Sequence, residues 1–179
     1  MQYRRVYVPG GSYFFTLVTK KRRKILAEDS TIGILREAFR RVMEKQHFSI
    51  DAIAVLPDHL HCIWSLPPGD HDFSTRWRLI KTWFTKHCDV TFCENSDNSG
   101  MKKENQSVWQ HRYWEHLLRD QEDFNRHVEY IHYNPVRHGY VSRPFDWQYS
   151  SFRRYVKNGI YSENWGDTGM DFSENIGSE

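Results

Sequence analysis

Apolar and polar positions change period several times along this chain, and each period predicts an element. Residues 12–19 are β-branched and aromatic and follow Pro9-Gly10-Gly11, which predicts a first strand. A basic turn, residues 20–24, comes next. Ile32, Leu35, Phe39, Val42 and Met43 then recur at three- and four-residue steps, predicting a helix over about 30–46 with Ser30 or Thr31 as its cap. Residues 47–56 read as a strand, Pro57-Asp58 as a tight turn, and residues 59–66 as the strand that pairs back. Pro67-Pro68-Gly69-Asp70 breaks the chain. Ser74 is expected to cap a second helix to about His87, with Trp77, Ile80, Phe84 and His87 along one stripe. Residues 91–105 are polar and rich in Asn, Ser and Gly, which predicts a flexible loop. A short strand is expected over 107–113. Asp120 opens a third helix that should stop by Asn134, because Pro135 follows. Short Trp- and Tyr-rich elements to Val156 form a C-terminal extension, and the chain from Lys157 on is expected to be weakly ordered.

The order is β-α-β-β-α-β with a helix added. That predicts an α+β fold, the ferredoxin-like split βαβ arrangement: an antiparallel sheet with helices on one face, plus the third helix and the extension. We expect one domain over 1–156 and an acidic tail over 157–179.

Composition narrows the class. The 179 residues are 39% hydrophobic, and 16% are aromatic, so a core can be built from few, large side chains. No stretch approaches the roughly 18 apolar residues of a membrane span, and the mean hydropathy is −0.78. The apolar run at 13–18 is too short for a signal peptide. Cys62, Cys88 and Cys93 include no C-x-x-C pair, so neither a disulfide framework nor a cysteine zinc site is indicated. The expected setting is the cytoplasm. The net charge of +2 hides an asymmetry: residues 158–179 carry −5 and residues 1–157 carry +7. A basic body with an acidic tail suggests a polyanion partner.

The chemistry concentrates in two segments. In a strand, His59 and His61 share a face with their Cα atoms about 7 Å apart, and two imidazoles so placed can chelate one divalent ion. Leu60, Cys62 and Trp64 point the other way. An isolated H-x-H is common, however, and two unrelated surface histidines would read the same. In the third helix, Phe124, Val128 and Ile131 form an apolar stripe. Tyr130 falls nearly opposite, sharing a face with Arg126, His127 and Asn134. Asn134 sits one turn beyond Tyr130, so both can reach one ion or phosphate. Most helical tyrosines are simply half-buried. A phenol is a poor nucleophile at its usual pKa of about 10. It becomes useful against a phosphodiester where a hard divalent ion, Mg²⁺ or Mn²⁺, polarises the non-bridging oxygens. His59, His61 and the Asn134 oxygen supply a ligand set, and the product would be a 5′-phosphotyrosine beside a 3′-hydroxyl.

His59-Leu60-His61, the run from Val128 through Tyr130 and Asn134-Pro135 to Gly139, and the run from Asp146 to Phe152 resemble the HUH single-tyrosine transposases. More narrowly, the chain resembles the REP-associated tyrosine transposases. Tyr3-Arg4-Arg5, the run from Gly10 to Thr16, Val55 to His59, Phe73 to Trp77 with Ile80-Lys81, and Trp109-Gln110 to His116 extend the match over about residues 3–156. The resemblance implies metal-dependent cleavage and rejoining of single-stranded DNA at palindromic, hairpin-forming repeats in a bacterial genome. It puts the nucleophile on Tyr130 and the metal ligands on His59, His61 and Asn134. It also suggests a self-contained monomer, although related transposases include dimers. One departure is an apparent insertion at 95–105. Tyr133 and Tyr113 compete with Tyr130: Tyr133 stands closer to the Pro135 break, and Tyr113 looks more like a packing or base-stacking residue.

Single-stranded DNA calls for cations along the backbone and rings for bases to stack on. Arg4 and Arg5 before the first strand, Lys20, Arg22 and Arg23 after it, Arg76, Arg78 and Lys81 on the second helix, and Arg112 and Arg137 beside the proposed site are the candidate contacts. Two rivals remain at this level. A zinc hydrolase built on His59 and His61 would want a further ligand and a water-activating Glu; Asp58 is adjacent but is expected on the opposite face. A non-catalytic DNA or RNA hairpin-binding module would use the same fold without the chemistry. The tail, with Trp165 and its acids, could fold onto the basic groove and limit access.

Overall fold

The structure, a computed structural model, describes residues 5–88 and 108–172. Arg4, Cys93 and the loop and insertion expected within 91–105 lie outside the described residues. The elements are β1 (Ser12–Val18), α1 (Asp29–Lys45), β2 (Ser49–Val55), β3 (His59–Ser65), α2 (Phe73–His87), β4 (Trp114–Leu117), α3 (Gln121–Arg137) and α4 (Phe152–Lys157). The strands form one sheet in the order β2-β3-β1-β4, and every pairing is antiparallel. This is the expected split βαβ arrangement.

Strand alternation sorts the core into two layers. Tyr13, Phe15 and Leu17 of β1 join Leu60, Cys62 and Trp64 of β3 beneath α1 and α2. Trp64 stacks on Trp77 of α2 at 4.0 Å. Burial among these rings pushes the Cys62 thiol well up, so it is inert. On the opposite face, Phe14, Ala52, Ala54 and Ile63 meet Val128, Tyr130 and Ile131 of α3. The first two helices therefore share one face, and the added helix covers the other.

Local chemistry moved several boundaries. Asp72, not Ser74, caps α2: its carboxylate accepts the Thr75 N–H at 2.9 Å. The fourth strand starts later than expected. Residues 108–110 continue the ladder beyond β1, with Lys20 N–H on Val108 O, Gln110 N–H on Val18 O and a bridge from Thr19 to Trp109. Only at Trp114 does the chain join β1 proper. Arg76, expected to meet DNA, is only 2% exposed. Its guanidinium donates to Gln46 O and His47 O at the end of α1 and to the Asp70 carboxylate. It caps a neighbouring helix, and the structure withdraws it from the DNA contacts.

The largest correction concerns α3, which runs through Pro135 to Arg137. Pro135 lacks the N–H that would bond one carbonyl four residues back, but it lies in the final turn, where the helix has little left to support. The stop signal is Gly139, at φ +72°. Gly139 N–H bonds to Val136 O and Tyr140 N–H to Pro135 O, which is a Schellman closure. A Cβ at Gly139 would meet nothing within 4 Å, so only the backbone resists a side chain there. Gly139→Ala should lower stability in a denaturant titration by about 1 kcal/mol, and Gly139→Asn by less.

Candidate active site

Both strand histidines are buried, His59 at 1% and His61 at 0% exposure, because α3 covers the face that sequence alone left open. Their ring centroids are 4.9 Å apart. Each ring is fixed through Nδ1. Register places Thr16 of β1 opposite His61, and its hydroxyl lies 2.9 Å from His61 Nδ1. Asp58 Oδ1 lies 2.7 Å from His59 Nδ1. That carboxylate was expected on the opposite face. Asp58 belongs to the turn rather than the strand, so alternation does not govern it.

The Asp58 carboxylate is itself held. Arg22 Nη1 donates to Oδ2 at 3.2 Å, and the Thr19 N–H and hydroxyl donate to the Asp58 carbonyl. Burial works against the charge on Asp58. The hydrogen bonds from His59 and Arg22, with the guanidinium charge, outweigh it and hold the carboxyl at about 2. Lys21 and Arg22 adopt φ of 57° and 50°, a left-handed backbone that side chains resist. That strain sits where the basic turn delivers Arg22 to Asp58.

Helix α3 supplies the other half. Asp123, His127, Tyr130, Asn134 and Arg137 follow one another at steps of four, three, four and three, which aligns them along one side of the helix. Apart from Arg137 at the exposed end, this stripe is buried against the sheet, with Tyr130 at 1% and Asn134 at 0% exposure. Tyr130 therefore lies within the buried surface rather than opposite it. Its ring is 5.3 Å from that of His61. Phe14 packs beside both rings, 5.5 Å from His61 and 6.1 Å from Tyr130, and 4.8 Å from His127. Arg137 Nη1 donates to the Tyr130 hydroxyl at 2.8 Å. His138 leans on His59 at 5.0 Å.

The competing tyrosines are placed differently. Tyr113 faces the other layer, against Phe15 and Trp77, and burial pushes its phenol up to about 12. Tyr133 is half-buried beside Phe172. Phe172, from the acidic tail, also packs against Tyr130 at 5.7 Å. Nearer the body, Tyr161 stacks on both Phe152 and Trp165.

A second polar cluster anchors the start of α3. His116 of β4 with Asp123 and His127 of α3 brings donor atoms within 4.8 Å, a set able to hold an ion. As arranged, it is a hydrogen-bonded clamp. Asp123 takes His116 Nε2 at 2.9 Å and the Arg119 N–H at 3.1 Å, while Asp120 caps its own N–H. The two imidazoles stack at 4.8 Å. Sequence reasoning missed this clamp, although the Asp123/His127 spacing of i, i+4 on a helix was a usable signal.

The remaining candidate cations divide into anchored and exposed. Arg5 pairs with the buried Glu115 at 3.2 Å and lies over Tyr113. Lys81 donates to Gln110 O, and burial lowers its ammonium to about 8. With the exposed Arg78 they line a basic cavity of about 700 Å³ on the α2 side of β4. Arg112 is exposed, Arg23 donates to Lys20 O, and Arg22 and Arg137 are committed to the site as described.

The chain matches the family model "Transposase IS200 like" over residues 7–134. It is 43% identical over 172 residues to the REP-associated tyrosine transposase of Escherichia coli (strain K12), covering 96% of this chain and 94% of that protein. A solved REP-associated tyrosine transposase bound to a REP hairpin superposes with a TM-score of 0.81 at 42% identity, covering 99% of both chains.

The clamp has a pH signature. Burial opposes ionisation of Asp123, but the hydrogen bonds from His116 and Arg119 outweigh it and hold the carboxyl at about 2. An unfolded Asp titrates near 3.9. The clamp's contribution is therefore complete above about pH 4 and lost as pH falls towards 2. Asp123→Asn should lower neutral-pH stability by on the order of 2 kcal/mol and flatten the acid limb of the stability–pH curve.

Proposed function

This chain belongs to the IS200-like transposase family and, within it, to the REP-associated tyrosine transposases, and from that premise we propose that it cuts and rejoins single-stranded DNA at hairpin-forming palindromic repeats through a covalent link to Tyr130. The observation that carries this reading is the meeting of two elements. A phenol on α3 stands against a pair of oriented imidazoles on β3, with Asn134 one turn further along the same helix.

The donor set suits a hard divalent ion, Mg²⁺ or Mn²⁺. Thr16 and Asp58 occupy Nδ1 of each imidazole, which leaves Nε2 as the ligating atom, and the Asn134 oxygen adds a neutral third donor. The ion, when bound, supplies polarisation of the non-bridging phosphate oxygens. Asp58 and Thr16 hold the imidazoles in tautomer and orientation. Phe14 packs edge-on against the Tyr130 ring, and Trp114 backs Phe14 in turn.

Tyr130 Oη forms a bond to phosphorus and the P–O3′ bond breaks. The phenol proton passes to solvent, and the 3′ oxygen leaves as a 3′-hydroxyl after taking a proton from solvent. One phosphodiester replaces another, so the 5′-phosphotyrosine retains the energy needed for rejoining. Arg5, Arg78, Lys81, Arg112 and the 20–23 turn give the strand its positive surroundings. The phenol, both imidazoles and Asn134 can be assembled by a single chain, and action as a monomer is part of the proposal. Among the described residues, no helix is long and apolar enough to cross a membrane.

Tyr130→Phe should bind a labelled REP-like hairpin normally with Mg²⁺ or Mn²⁺ but leave no covalent band on a denaturing gel, where the unaltered chain leaves one. The tail bears on access, because Phe172 rests on the Tyr130 ring. A chain ending at Thr168, which keeps Tyr161 and Trp165 in place, should cleave faster in single-turnover assays. An unchanged rate would remove the tail from this account.

A further inference from the structure

Charge alone makes Arg137 a candidate DNA contact, but its position gives it a different task. It lies two turns beyond Tyr130, on the turn of α3 that continues past Pro135. Its Nη1 donates to the Tyr130 hydroxyl at 2.8 Å, and its guanidinium carbon stands 5.3 Å from the centre of the same ring. We propose that Arg137 is a catalytic residue, stabilising the negative charge that Tyr130 Oη carries on entering and leaving the phosphodiester.

The inference rests on the proposed function and adds a role to it. During cleavage, Tyr130 Oη loses its proton to solvent and bonds to phosphorus as the P–O3′ bond breaks. During rejoining, a 3′-hydroxyl attacks and loses its proton to solvent, and Oη leaves phosphorus with the electron pair. Oη is electron-rich in both directions. A donor fixed on it favours both, and a guanidinium does so without giving up its own proton. The planar fork matters as well. With one N–H on Oη, a guanidinium still has further N–H groups to offer a phosphate bonded to that oxygen, so the same side chain can follow the charge from phenol to phosphate. A lysine would offer a point charge without that fixed geometry.

The discriminating experiment compares Arg137→Ala and Arg137→Lys with the unaltered chain on a REP-like hairpin carrying single-stranded flanks. Affinity and single-turnover adduct formation at saturating DNA are measured separately. Removing one oriented donor should slow adduct formation about 100-fold. Arg137→Lys should recover only part of that loss, and millimolar guanidinium should restore part of the rate to Arg137→Ala. Hairpin affinity should change by no more than about threefold, the size of one lost exposed phosphate contact at moderate salt. An adduct rate unchanged at saturation, with the whole effect in affinity and its salt dependence, would overturn the proposal and return Arg137 to the DNA contacts. A slowed rate without guanidinium rescue, accompanied by a lowered melting temperature, would also overturn it, in favour of a structural role. If the unaltered chain forms no adduct, the proposed function itself fails, an outcome distinct from either.

Discussion

The packing of α3 onto the sheet is the contact on which the site depends. A helix normally turns its apolar side inward, but here Asp123, His127, Tyr130 and Asn134 are buried against strands that present His59, His61 and Thr16. Burying a polar group without a partner costs on the order of 2 kcal/mol or more, so such a surface forms only if its groups are satisfied together. Asp123 meets that demand at one end by gathering His116, Arg119 and its own capped N–H. Arg137 meets it at the other end by reaching back to Tyr130. Between them, Phe14 provides the apolar surface against which the rings are set.

The sheet contributes the complementary constraint, which is register. A slip of one residue between β1 and β3 would move Thr16 away from His61 and turn both histidines toward α1 and α2. Trp64 and Phe15, buried on that other face, oppose the slip because they would have to exchange places with polar side chains. The large aromatic core is thus what keeps two small imidazoles pointing at Tyr130. The strained turn at Lys21 and Arg22 works in the same direction, since it brings a guanidinium to the carboxylate that orients His59.

Much of this was legible in the sequence, and the failures share a physical cause. The strand and helix order and the pairing of His59 with His61 followed from periodicity. The proposed roles of Tyr130 and Asn134 came from helical spacing and from the family resemblance. Periodicity also equates polar with exposed, so it placed Tyr130 opposite the buried side, whereas partners on a neighbouring element allowed the polar stripe to go in. The same shortcut offered Arg76 to DNA, when the ends of two elements needed its hydrogen bonds inside. Pro135 was read as a terminator because proline opposes a helix interior. The final turn tolerates it, and Gly139 carried the true stop. That misreading mattered, because the extra turn is the one that brings Arg137 to the phenol. Asp58 was lost to strand alternation that does not extend into a turn.

The central claim is that one phenol on the buried stripe of α3 forms the bond to DNA. Its most direct test is to trap the adduct on a hairpin with Mn²⁺, digest it with trypsin and nuclease, and sequence the nucleotide-bearing peptide by tandem mass spectrometry. Residues 127–137 form one tryptic peptide that contains both Tyr130 and Tyr133. The account predicts a nucleotide 5′-phosphate on Tyr130. The modification on Tyr133, on another peptide, or on none would contradict it.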